Sequence, residues 1–171
     1  MELWDIYDVH RMPKGTVAVR GEGLKEGDYH MVVHICIFNS KGEMLIQQRQ
    51  SWKTWPEHWD VTVGGSAVKG ETSQEAMHRE LLEEIGIDHD FSGLRPAMTL
   101  NFDRGFDDFY LITRDIDLSE LRLQPEEVKD ARWASMEEIF EMIDGGTFIP
   151  FFKSFVQLLF EIRNKPDCLN V

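Results

Sequence analysis

Glu80, Glu83 and Glu84 crowd one short stretch beside Arg79, within the spacing Gly65-x5-Glu71-x7-Arg79-Glu80-Leu81-x-Glu83-Glu84-x-Gly86-Ile87. The local sequence predicts a helix over 72–85 to carry them. Thr72 and Glu75 match a Thr-x-x-Glu capping box, and Gly86 stands where a helix turns off into the left-handed conformation. At about 100° per residue the three glutamates fall within one arc of roughly 100°, while Leu81, Leu82 and Ile85 form an apolar face. The acids sit near the helix C-terminus, where the backbone already carries partial negative charge, and at spacings of three and four they repel one another. A divalent cation would remove both penalties, and a carboxylate oxygen set suits magnesium or manganese.

A solvated acidic helix face would account for the glutamates alone. It leaves the Arg79-Glu80 pair, the glycines at 65 and 70 and the distant Glu71 as coincidences. The whole stretch resembles the Nudix box, with every fixed position filled. The resemblance implies an α/β fold, a Nudix-type α/β/α sandwich with a mixed β-sheet, and a hydrolase that cleaves a diphosphate linkage carried by some organic group. It implies that Glu80, Glu83 and Glu84 hold Mg2+ or Mn2+, with one of them doubling as general base (Glu80, or else Glu127 from outside the set), and that Glu71 and Arg79 orient those carboxylates. Gly65 and Gly70 would then give the strand-to-helix loop its tight path, and Gly86 would end the helix. A site retained for binding alone, in a catalytically silent nucleotide or metabolite module, is the alternative that such a motif leaves open.

The stretch from His30 through Trp55-Pro56-x-x-Trp59 into Gly64-Gly65 is similar to the isopentenyl-diphosphate isomerases, which share the Nudix fold. Those isomerases place a reactive cysteine just before the first box glycine and a metal-binding histidine just after it. Here the two positions are Gly64 and Ser66. Glycine has no group with which to move a proton, and serine is a poor substitute for imidazole at a transition metal. His30 matches a metal-binding histidine of the isomerases but has lost its partner, so it reads as a histidine hydrogen-bonded at a strand start. Arg49 and Lys53 match basic positions that hold the diphosphate there; arginine suits bidentate phosphate contacts and lysine supplies a point charge. Solvated loop cations are the plainer alternative for both. Glu127 stands where many Nudix hydrolases keep a further catalytic or metal-binding glutamate. The reading is a hydrolase on an isomerase-like scaffold, with isomerase chemistry as the alternative.

The elements that must position these groups follow from local pattern. Residues 2–7 read as a strand, paired across a turn containing Pro13 and Gly15 with 16–20. Residues 30–39 are the clearest strand and turn through Ser40-Lys41-Gly42 into 44–49. A strand over 59–64 feeds the box, 96–102 and 107–113 read as a hairpin, and 128–134 is a further strand. Ser135 and Glu138 form a second capping box for a helix ended by Gly145-Gly146, and Pro150 opens a last helix to about Arg163. Phe151, Phe152, Phe155, Leu158, Leu159 and Ile162 give that helix a wide apolar stripe, read as core with a part left for a homodimer interface. Trp52, Trp55, Trp59, Phe102, Phe106, Phe109 and Tyr110 gather near the expected mouth, where they would stack a nucleobase, enclose an isoprenoid chain or simply pack. Asp103, Asp107 and Asp108 read as solvated turn acids, with sugar or metal contacts as the alternative.

At 171 residues and 42% hydrophobic, the chain suits a single domain over 1–171 with a full core. A net charge of −13 argues against a nucleic acid polymer as partner. A small anionic diphosphate is still compatible, because bound metal and a few local cations reverse the field inside a pocket. Cys36 and Cys168 offer neither a disulfide framework nor zinc-ligand spacing, which points to a reducing, cytoplasmic compartment. The N-terminal residues lack the pattern of a signal peptide, and no apolar run approaches membrane-spanning length.

Overall fold

The computed structural model describes residues 2–165, 167 and 169. Cys168 lies outside the described residues. The centre of the fold is β3 (His30–Phe38), whose β-branched run pairs in parallel with β8 (Gly105–Thr113) along its whole length. Seven strands form one mixed sheet in the order β5 (Trp59–Asp60), β4 (Met44–Arg49), β3, β8, β7 (Met98–Phe102), with β6 (Val63–Ser66) pairing β3 and β9 (Val128–Ala134) pairing β4. A separate hairpin of β1 (Leu3–Tyr7) and β2 (Pro13–Val19) is antiparallel and attaches through a bridge between Tyr7 and Tyr29.

Alternation along β3 sends its side chains to opposite faces. Val33, Ile35 and Ile37 pack with Met77, Leu81 and Ile85 of α1 (Ser73–Ile85). Cys36 and Phe38 pack with Ile139 of α2 (Met136–Asp144) and with Val156, Leu159 and Phe160 of α3 (Lys153–Ile162). Helices cover both faces of the sheet, which is the expected α/β/α sandwich. Each fully buried Leu or Ile contributes about 1.5–3 kcal/mol, so the inward side of α1 fixes the helix on the sheet whatever its outer side carries.

Several boundaries differ from the sequence reading, each for a tertiary reason. The strand expected over 59–64 is two strands, because the chain changes partner midway: β5 pairs β4 and β6 pairs β3. β3 and β4 meet in register only at Phe38 and Met44. Beyond that pair Thr62 fills the fork, its hydroxyl accepting from Ile37 N–H (2.9 Å) and donating to Leu45 O (2.5 Å). Pro13 and Gly15 lie inside β2 rather than in a turn; the turn is held earlier, where Asp8 Oδ1 accepts from the N–H groups of His10 and Met12 (both 2.9 Å). β8 begins at Gly105, since Phe102 pairs with Gly105 across a two-residue turn. The last helix begins at Lys153, not at Pro150, because Ile149 N–H donates to Trp59 O (2.8 Å) and keeps that segment extended beside β5. On α3 the inward residues are Val156, Leu159 and Phe160, while Phe152 and Leu158 of the expected stripe are exposed.

Candidate active site

Arg79 is the hub of the box. α1 starts on the predicted capping box, with Thr72 Oγ1 accepting from Glu75 N–H and Glu75 Oε2 accepting from Thr72 N–H. Two turns later Arg79 points back at the loop from β6. Its Nε donates to Glu71 Oε1 (2.6 Å) and its Nη2 to Glu71 Oε2 (3.0 Å) and to Ser66 O (3.1 Å). Its Nη1 lies 2.9 Å from Glu80 Oε1 and 3.2 Å from Glu83 Oε2. Glu71 Oε2 also accepts from Val68 N–H (2.9 Å). The fork of one guanidinium thus ties the loop to the helix. Gly70 takes a positive φ of 88° in that loop, and Gly86 ends α1 at φ 74° as expected.

Gly65 has a different reason from the loop path anticipated for it. Its φ is unremarkable, but a Cβ there would collide with the Glu80 carboxylate. Glu84 corrects the reading of the helix faces. It is buried on the inward side, whereas Leu82, expected inward, is 46% exposed. Burial, and then the charge of Glu80, push the Glu84 carboxyl up to about 8, with Lys53 opposing. Burial also raises Glu80, against the pull of Arg79. Glu84 Oε2 has no hydrogen-bond partner.

Among the described residues no three His, Cys, Asp or Glu side chains converge in a cation-ligating arrangement, since Glu80 and Glu83 are both turned to Arg79. The donor set still fits a hard cation. It is all carboxylate oxygen, and it includes a buried acid with an oxygen to spare.

These groups face a cavity of about 220 Å³. α1 contributes Arg79, Glu80, Glu83 and Glu84, and β6 contributes Gly64 and Gly65. Across from them stand Lys53, in the loop after β4, and Gln124 and Glu127, before β9. Lys53 and Glu127 form an ion pair, and Gln50 N–H donates to Glu127 O (3.2 Å). Burial, followed by the charge of Arg49, lowers the Lys53 pKa. Arg49 is not part of the cavity wall. Its Nε donates to Thr54 O (2.8 Å) and its Nη1 to Asp60 Oδ2 (3.2 Å), so it braces the loop that carries Lys53. The wall also includes Glu2 and Arg20, from the ends of the N-terminal hairpin. Sequence reasoning missed both, and no motif could have flagged them, because only the folding of the hairpin brings them here.

Other candidates land away from the cavity. Asp107 accepts a hydrogen bond from His34 Nδ1 (2.7 Å), and Asp108 is fully buried, so neither is a solvated turn acid. Asp108 binds the Arg11 guanidinium, Ser73 Oγ (2.6 Å) and Thr99 Oγ1 (2.6 Å). Phe106, Phe109 and Tyr110 are core, and none of the aromatics proposed for the mouth lines the cavity. His30 N–H donates to Arg104 O (3.0 Å) at the strand start, but its ring Nδ1 is buried without a partner and the ring stacks on Trp4 at 4.1 Å. A Cβ at Gly64 would collide with the His34 ring.

Acids packed against a glycine strand, with cations on the facing wall, line this candidate site. The NUDIX domain model matches residues 28–151, and the chain belongs to the Nudix family, as a pyrophosphohydrolase acting on phosphorus-containing acid anhydrides. An uncharacterized Nudix hydrolase of Listeria monocytogenes is 48% identical over 165 residues, covering 96% of each chain. An isopentenyl-diphosphate isomerase of Salmonella typhi is 25% identical over 146 residues, 81% of this chain and 80% of its own, in keeping with the isomerase-like branch. The crystal structure of DR0079 from Deinococcus radiodurans superposes with a TM-score of 0.75 at 22% identity, covering 96% of this chain and 100% of that one. No helix among the described residues is long and apolar enough to cross a membrane.

Proposed function

We propose that the chain hydrolyses the diphosphate linkage of a small nucleoside diphosphate or related organic diphosphate, with magnesium or manganese held by Glu80, Glu83 and Glu84. The observation that carries this reading is Glu84, a buried carboxylate with an unpartnered oxygen beside the second buried acid Glu80, on the wall of a polar cavity. Two neighbouring acids taken out of water need a cation to be ionised together.

When bound, the ion would neutralise phosphate oxygens and lower the pKa of a nearby water. Glu80 would accept the proton of the attacking water, with Glu127 as the alternative base once Lys53 turns from it to the substrate. Lys53 would then face the phosphate charge that grows on the leaving group. Arg79 would hold Glu71 and Glu80 in place, and Arg49 would act on the phosphate side through its brace on the Lys53 loop. The polar lining suits the phosphate groups of the substrate. Proton transfer at carbon is disfavoured because residue 64 has no side chain and His34 fills the space beside it.

The same reading takes 1–171 as one functional unit, working in the cytoplasm with its buried thiol Cys36 reduced. A homodimer belongs to it as well, with exposed Phe152 and Leu158 as apolar surface, and sedimentation would test that part. The main test is a panel of nucleoside diphosphates, nucleoside diphosphate sugars and isoprenoid diphosphates, incubated with magnesium in 18O-water and read by mass spectrometry. A monophosphate or phosphate product carrying one 18O supports the proposal. Tight binding without product would replace it with the sensor reading, and neither binding nor product would remove it.

A further inference from the structure

Arg20 enters the cavity from outside the Nudix box. It follows β2 directly; its N–H donates to Glu2 O (3.0 Å) and its Nη1 to Glu2 Oε2 (2.8 Å). The hairpin that carries both residues is not a free arm. Lys69 N–H donates to Leu3 O (2.7 Å), Gly70 N–H donates to Asp5 Oδ2 (2.6 Å), and the Trp4 ring stacks on His30. These contacts lock the hairpin onto the very loop that runs from β6 to α1, so Arg20 and the box glutamates are held in one frame.

The cations on the cavity wall are not equally available. Arg79 is engaged by Glu71, Glu80 and Glu83, and Lys53 is paired with Glu127. Among the described residues Arg20 has Glu2 as its one ion-pair partner, and its side chain is still 51% exposed. A guanidinium has five N–H donors, so Arg20 keeps most of its capacity for an incoming anion. It also stands close enough to Lys53 to be among the charges that lower the Lys53 pKa, after burial and Arg49. The two cations therefore face the same space. At about 220 Å³ that space falls below the roughly 300–1,000 Å³ of pockets that enclose a whole drug-sized ligand. It suits the phosphate groups of a diphosphate, with the organic group outside.

We propose that Arg20 is a specificity-determining residue: it binds the terminal phosphate of the substrate and selects diphosphates that end in a free phosphate over those capped at both ends. This rests on the diphosphate-hydrolase reading above and names its substrate class. A free terminal phosphate carries about −1.5 to −2 charge at neutral pH, against a single charge on a capped one. The guanidinium fork can meet its oxygens in bidentate fashion, and Glu2 is the carboxylate that the phosphate must displace.

The experiment compares a nucleoside diphosphate with a nucleoside diphosphate sugar as substrates of wild-type, Arg20→Ala and Arg20→Lys proteins, with magnesium. For the nucleoside diphosphate, Arg20→Ala should raise KM about tenfold to a hundredfold, the weight of charged hydrogen bonds, with kcat nearly unchanged. The capped compound should change less than about threefold, and Arg20→Lys should recover part of the loss. Equal losses on both compounds, no loss on either, or a wild-type preference for the capped compound would overturn the proposal. Should the wild type turn over neither compound, the hydrolase reading fails on its own, and calorimetry with methylenediphosphonate decides the role of Arg20. Binding weakened at least about tenfold by Arg20→Ala sustains it, while unchanged binding, or none by the wild type, overturns it. Arg20→Gln, which keeps an N–H donor for Glu2, replaces alanine if the hairpin is disturbed.

Discussion

Gly65 and Glu80 compete for one volume: a Cβ on residue 65 would lie within the contact distance of the Glu80 carboxylate. The glycine is therefore part of how the acid is aimed. Gly65→Ala should push Glu80 out of position and weaken magnesium affinity and turnover by about 10–100-fold, the usual consequence of disturbing a ligand's support. Isothermal titration with magnesium and a rate assay would check this, with circular dichroism expected to show an intact fold.

Glu84→Gln separates the demands of the site from those of stability. Glu84 is buried with one oxygen unpartnered. An amide at this position keeps the shape and removes the cost of protonating a buried carboxyl at neutral pH, since burial holds the Glu84 pKa at about 8. The variant should lose nearly all magnesium-dependent turnover. Its melting temperature without metal should rise by several degrees, at about 2–4 °C per kcal/mol for a chain of this size. Near-native activity at limiting magnesium would show that Glu84 is not a ligand.

Asp108 gives a pH signature remote from the box glutamates. Burial raises its pKa, but hydrogen bonds from Arg11, Ser73 and Thr99 outweigh burial and hold it below the ordinary 3.8. A depressed carboxyl stabilises the fold above its unfolded pKa, near 4, and that contribution is lost as pH falls through the folded pKa. Arg11→Met leaves Asp108 buried without its charge partner and should cost about 3 kcal/mol at pH 7. The gap between wild type and variant in urea unfolding should narrow steadily below pH 4. A gap independent of pH would show that the ion pair is not its source.

Thr62 holds the fork between β3 and β4 through Ile37 N–H and Leu45 O. Thr62→Val keeps the shape and leaves both buried backbone groups unpaired. It should cost about 2–4 kcal/mol, from two unsatisfied polar groups. Thermal unfolding would measure this, and hydrogen exchange should show the loss concentrated at Ile37.

Position 64 tests hydrolase against isomerase. Offered isopentenyl diphosphate in deuterated water with magnesium or manganese, the native chain should give no dimethylallyl product and no carbon-bound deuterium. Gly64→Cys with Ser66→His should create at most traces of isomerisation, because a side chain at residue 64 meets the His34 ring, itself held by Asp107. Deuterium in the carbon skeleton from the native protein would mean that another residue moves the proton.

The parts of this fold that were legible in advance are those decided within a few residues. α1 begins and ends where its capping box and Gly86 place it, since both signals act within a single turn. β4 and β9 match their expected spans, and the Arg79–Glu71 and Arg79–Glu80 contacts follow from a fixed spacing on helix and loop. The split of 59–64 was not legible, because it depends on which neighbour each residue pairs with. Asp107 and Asp108 read as turn acids because they are adjacent and charged. Within β8 they point to opposite faces, one to His34 and the other to Arg11.

By itself the sequence determined the layered α/β class and the acidic helix with its arginine, because capping, periodicity and motif spacing are local properties of the chain. Only the tertiary structure decided that Glu84 is buried while Leu82 is exposed, since the inward arc of α1 is set by the sheet beneath it. Only tertiary structure brought Glu2 and Arg20, more than forty residues before the box, to the same cavity as Glu80 and Lys53. The N-terminal hairpin reaches them because its backbone bonds to the box loop at Lys69, a contact that exists once the chain has closed on itself and that no local pattern encodes.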